Sequence, residues 1–110
     1  MNGATLFWQL AAELQAENAE VVEGTIMKGR CLRVRGEFVA LVDYKDAGLV
    51  VKLSRGRVDE LIAGGEGLPF GPAGKVFREW ISLPEADRGR WLAVLREAVA
   101  HASRPRDARR

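Results

Sequence analysis

Residues 31–80 read CLRVRGEFVALVDYKDAGLVVKLSRGRVDELIAGGEGLPFGPAGKVFREW, and the spacing of apolar residues and glycines in this stretch decides the fold. Residues 31–35 alternate, with Leu32 and Val34 set against Arg33 and Arg35, the period of two expected of a half-buried strand. Gly36 supplies a turn position, and residues 38–43 resume as a strand rich in Val and Leu. A turn over 44–48 leads to a further strand over 49–53, whose apolar run Lys52 interrupts. Three short strands joined by short links imply an antiparallel meander.

Ser54 then caps a helix, its hydroxyl accepting an orphan backbone N–H of the first turn. Val58, Leu61 and Ile62 face inward, Asp59 and Glu60 face water, and Gly64 with Gly65 ends the helix. The connection 64–75 holds five glycines and two prolines, and residues 76–82 are expected to form a fourth strand. Strict alternation there puts Val76 and Trp80 on one side, Phe77 and Ile81 on the other.

Outside this stretch, residues 4–18 read as an amphipathic helix with Leu6, Phe7, Leu10 and Leu14 on one face. Trp8, on the flank of that stripe, is expected to anchor the edge of the core. Residues 25–27 are short and β-prone. A last helix is expected to start near Pro84, with Glu85 and Asp87 complementing its dipole. Its apolar stripe is Trp91, Leu92, Leu95, Ala98, Val99 and Ala102, and Pro105 marks its end.

The order is therefore α-β-β-β-α-β-α. The economical packing is an α+β two-layer sandwich: an antiparallel sheet of about four to five strands with the two long helices on one face. A strand apolar on both sides requires a cover for the second face, from the small helix, the long loop or a second subunit.

A chain of 110 residues fits one domain, here 1–103, followed by a basic, disordered tail over 104–110. The net charge of +2 resides in that tail: RPRDARR carries four arginines against Asp107, leaving −1 for the rest. Nucleic-acid binders normally carry Lys and Arg over a folded face, so nucleic acid is an alternative partner and not the favoured one. Cys31 stands alone, which excludes an internal disulfide and a four-ligand zinc pattern. No apolar run approaches the roughly 20 residues of a membrane helix. The N-terminal stretch lacks the basic and apolar regions of a signal peptide, so no membrane partner and a cytoplasmic location are expected.

The glycine-rich connection does not make a phosphate loop. Gly74 and Lys75 are followed by Val76 instead of Ser or Thr, and Pro69 stands where that motif begins with glycine. His101 is the sole histidine, and no spacing brings Cys31, His101 and a carboxylate together in sequence. Catalytic residues, metal ligands and a cofactor are accordingly not assigned. Arg33, Arg35, Arg78, Trp80 and Phe70 form the candidate interaction set: Tyr44 and Trp80 interleave with the arginines, and Trp80 or Phe70 lines the pocket expected of ligand binding at the 64–75 loop.

Residues 27–34 (MKGRCLRV), 38–42 (FVALV) and 49–53 (LVVKL), with Arg57, Glu60, Leu61, Pro69, Phe70, Glu79, Trp80 and Trp91, resemble the N-terminal domain family of TfoX/Sxy competence regulators, within the MmcQ/YjbR-like group. Lys28 and Arg30 depart from the Met-Phe-Gly-Gly-like segment of that family. The resemblance covers about residues 4–102 and implies a two-layer α+β domain without catalysis or cofactor. It implies a regulatory, non-enzymatic interaction module whose partner is a second copy, forming a homodimer, or another protein. Small-ligand binding at the 64–75 loop is a further alternative.

Overall fold

The computed structural model describes residues 2–26, 29–43, 48–71 and 76–105. Helix α1 (Gly3–Glu17) opens the chain, and the Asn2 side-chain oxygen accepts from the Thr5 N–H at 2.9 Å. Then come strands β1 (Val21–Ile26), β2 (Gly29–Val34), β3 (Glu37–Val42) and β4 (Leu49–Lys52). Helix α2 (Arg55–Ala63), strands β5 (Leu68–Pro69) and β6 (Trp80–Leu83), and helix α3 (Arg88–Ser103) complete the order. Among the described residues the strands form one six-stranded sheet, ordered β1-β2-β3-β4-β6-β5 and antiparallel throughout. The architecture is the expected α+β packing of helices on an antiparallel sheet, with six strands in place of four to five. The additions are a complete β1, of which only residues 25–27 carried a strand signal, and the two-residue β5.

Two local devices set the register. Arg35 and Gly36 adopt φ of 52° and 80° between the paired residues Val34 and Glu37, a tight two-residue hairpin turn. Positive φ at both positions matches the twist of the flanking strands. Arg35 therefore belongs to the turn and does not share a strand face with Arg33, as simple alternation implies. The second device is a bulge in β3: Leu32 pairs with Ala40, but Arg33 pairs with Phe38. Val39 is the extra residue, so Val39 and Ala40 both enter the core beneath the helices, while Phe38 turns to the opposite face.

The core between helices and sheet joins Phe7, Leu10 and Leu14 of α1 to Trp91, Leu95 and Ala98 of α3, over Leu32, Val34, Val51 and Ile81. Burying such side chains stabilises the fold by about 1.5–3 kcal/mol each. Trp8 is partly buried against this core, and the Arg30 guanidinium sits 4.0 Å from its ring centroid. Val58 and Leu61 of α2 reach the same core, with the Ser54 hydroxyl capping that helix by accepting from the Arg57 N–H at 3.2 Å.

Two expectations need correction. Helix α3 starts at Arg88, not near Pro84, and Asp87 is its N-cap, accepting from the Arg90 N–H at 2.9 Å. A carboxylate in that position both satisfies an orphan donor and meets the positive helix end. In addition, the expected strand 76–82 is extended only from Trp80, and β6 runs on to Leu83; Phe77 donates its N–H to Phe70 O at 2.9 Å and Trp80 donates to Phe77 O at 3.0 Å. That turn resets the alternation and places Phe77 beside Trp80 instead of beside Ile81. Most of the turn over 44–48, and residues 72–75 of the long connection, lie outside the described residues.

Strand β5 is held against β6 by a close approach at Gly67. A Cβ there would stand 2.5 Å from Ile81 Cδ1 and 3.1 Å from the Ser82 carbonyl oxygen. Gly67→Ala is expected to destabilise the protein by about 1–3 kcal/mol, lowering Tm by several degrees. Thermal unfolding checks this; an unchanged Tm contradicts the close packing of β5.

Candidate interaction surface on the second sheet face

Antiparallel pairing places opposite residues on one face. Val51 and Ile81 face the helices, so Lys52 and its partner Trp80 face the other way, with Phe38. Phe38 stacks on Trp80 (ring centroids 4.3 Å apart, planes 13° apart), and Trp80 stacks on Phe70 (5.6 Å, 20°). The Phe77 ring stands edge-on to both Trp80 and Phe70. The described part of the long connection thus supplies a cover for the second face. Phe38 is buried beneath it, while Phe70, Phe77 and Trp80 are half-buried.

The rim of this cluster stays exposed. Leu68, which pairs with Ser82 of β6, is 57% exposed, and Val76, adjoining Phe77, is 67% exposed. Leu68, Val76 and Val22 are the exposed large hydrophobics among the described residues. Leu68 stands two residues before Phe70 and Val76 directly precedes Phe77, so both flank the ring cluster along the chain.

Of the sequence-derived set, the structure brings Trp80 and Phe70 into contact and sets Arg78 in the turn two residues before Trp80. Arg33 and Arg35 are engaged elsewhere. Arg33 lies over Gly24, where a Cβ would sit 2.8 Å from its Cδ, and its Nη1 and Nη2 donate to the carbonyls of Gly36 and Thr25 at 2.8 Å. Arg35 clasps the Glu20 carboxylate with Nε and Nη2 and donates from Nη1 to the Ser103 carbonyl at 3.3 Å. It ties the β2–β3 turn to the end of α3. Tyr44 lies outside the described residues, as do the arginines after Pro105. Simple alternation missed Phe38 and Phe77 because the bulge and the 77–80 turn each shift its phase; the exposed rim gave no separate sequence signal.

Most of the remaining arginines also have carboxylate partners. Arg30 pairs with Glu23, Arg57 with Glu97, Arg88 with Glu13, Arg90 with Glu66 and Arg96 with Glu17. Lys52, Arg55 and Arg78 have no ion pair among the described residues.

A concavity of about 550 Å³ opens where the start of α2 meets the end of α3. Its wall includes Ser54, Arg57, Glu60, Glu97, His101 and Arg104. Its charges are largely matched internally: Arg57 meets Glu97 through two hydrogen bonds of 2.8 and 3.2 Å and lies 3.7 Å from Glu60. The Ser54 hydroxyl is engaged as a helix cap. His101 is buried on this helix side of the sheet, whereas Cys31 alternates with Leu32 to the opposite side, so the sheet separates thiol from imidazole. Burial pushes the Cys31 thiol above its ordinary value, away from the thiolate that nucleophilic chemistry needs. Among the described residues no group of three or more His, Cys, Asp or Glu is disposed to hold a metal ion, and no described helix is long and apolar enough to cross a membrane.

No protein-family model matches the chain, and the comparisons with curated proteins and with solved structures return no match either.

Hydrogen bonds from Arg96, Arg35 and Arg30 hold the Glu17, Glu20 and Glu23 carboxyls below the ordinary value of 4.5. A carboxyl depressed in the folded state contributes stability in full above its unfolded pKa and loses it as pH falls through the folded value. Tm is therefore expected to hold near neutral pH and to fall once pH drops below 4.5. The combined Glu17→Gln, Glu20→Gln and Glu23→Gln variant is expected to show a shallower acid decline; an identical decline in a pH series of melts contradicts this assignment.

Proposed function

We propose that the protein is a non-enzymatic interaction module that binds another protein through the exposed rim of the aromatic cluster. The observation that carries this reading is that exposed Leu68 and Val76 flank, along the chain, the half-buried and mutually packed Phe70, Phe77 and Trp80. Apolar surface left uncovered beside packed aromatics is the kind that a partner buries, and aromatic anchors are enriched at such contacts. The sequence resemblance to TfoX N-terminal domains supports placing that contact in regulation, including control of transcription.

Nucleic acid is a poorer fit for this face. A single-strand platform offers ring faces to bases, but here Phe38, Trp80 and Phe70 stack on one another, and Arg33 and Arg35 donate to groups of the chain itself.

The experiment is a quantitative comparison of the wild-type chain with Leu68→Ser/Val76→Ser. Both positions are exposed, so the variant's Tm is expected to stay close to wild type. Proteins retained by the wild type are expected to be lost by the variant, while sedimentation velocity reports whether a second copy is among them. Equal retention by both, or none by either with a monomer throughout, overturns the reading.

A further inference from the structure

Of the described cations without an ion pair, Lys52, Arg55 and Arg78 lie at one end of the proposed surface. Lys52 lies opposite Trp80, and the Leu53 N–H donates to the Glu79 carbonyl at 2.9 Å. The chain therefore enters α2 at Arg55 close to the 77–80 turn that carries Arg78. Glu79, exposed in the same turn, and Asp59, one helical turn on from Arg55, are the neighbouring acids, and neither forms an ion pair with Lys52 or Arg78 among the described residues.

We infer that this end of the second sheet face docks a peptide segment of a partner protein whose apolar side chain rests on Leu68, Phe70 and Val76 and whose carboxylates meet Lys52 and Arg78. The inference rests on the interaction reading above and adds the chemical class of the partner. Three observations argue for it. First, Lys52 and Arg78 flank the aromatic rim without an ion pair among the described residues, which leaves both open to a partner's carboxylates. Second, the adjacent sheet edge does not favour strand addition: β5 has two residues, and Pro69 has no N–H to donate. Recognition then falls to side chains on the face. Third, the rim is aliphatic and aromatic with Trp80 at its centre, which suits a single apolar anchor ringed by charge.

The test selects 12-residue peptides from a random displayed library on the immobilised full chain and counter-selects on Leu68→Ser/Val76→Ser. Enriched peptides are expected to pair an aromatic or aliphatic residue with Asp or Glu. Their affinity is expected to fall on the order of 5–10-fold on Lys52→Glu/Arg78→Glu and to weaken with added salt. Replacing the peptide acids by Lys is expected to restore binding to the charge-reversed variant. Peptides that need Leu68 and Val76 but show no acidic bias and no loss on charge reversal overturn this inference and leave the interaction reading standing. No enrichment over the Leu68→Ser/Val76→Ser variant overturns both. Binding of a labelled 12-nucleotide thymidine oligomer that charge reversal abolishes, with no peptide selected, overturns the inference in favour of a single-stranded nucleic acid.

Discussion

A sheet with apolar side chains on both faces must have both faces covered, and that requirement governs the rest of this molecule. The helix layer covers one side through Phe7, Leu10, Trp91 and Leu95. On the other side the covering groups are rings: Phe38, raised from β3 by the bulge, stacks on Trp80, and the long connection lays Phe70 and Phe77 beside it. Offset-stacked and edge-on rings contribute about 0.5–1.5 kcal/mol per pair beyond their buried area. Four aromatic residues thus act where a second helical layer or a second subunit would otherwise be needed. The cover has an edge, and at that edge Leu68 and Val76 stay in water.

Charge is distributed by the same economy of contacts. The arginines form clasps between elements: Arg88 and Arg96 join α3 to α1, Arg57 joins α2 to α3, and Arg35 fixes a hairpin turn to the end of α3. Such exposed pairs are individually weak and salt-sensitive, but each fixes the relation of two elements that share the core. Among the described residues, Lys52, Arg55 and Arg78 stay without an ion pair at the meeting of β4, β6 and the first turn of α2. Function is therefore sought where exposed apolar surface and unmatched cations coincide, not in the cleft between α2 and α3, whose Arg57 already meets two glutamates.

Much of the fold was legible from residue patterns. The stripes of α1 and α3, the hairpin at Gly36 and the Ser54 cap are local signals with one structural solution each. Less legible were the features that break a period. The bulge at Val39 and the turn at 77–80 reverse the faces of Phe38 and Phe77, and nothing in the alternation of neighbouring residues marks either break. Asp87 is the cap itself and not only a dipole partner, because a Pro at 84 is as compatible with the chain before a helix as with its first turn. Of the interaction set, Phe70 and Trp80 meet as ring partners, whereas Arg33 is drawn onto backbone carbonyls by the space above Gly24. A side chain's engagement by the backbone of a neighbouring strand and turn has no sequence signature.

The most direct test of this account is a double-mutant cycle on Phe38→Leu and Trp80→Leu, followed by urea unfolding. If the stacked rings close the second face, the two substitutions are coupled by about 0.5–1.5 kcal/mol. Additive effects, with a coupling indistinguishable from zero, would mean that the rings do not support one another and that the second face is closed by something else.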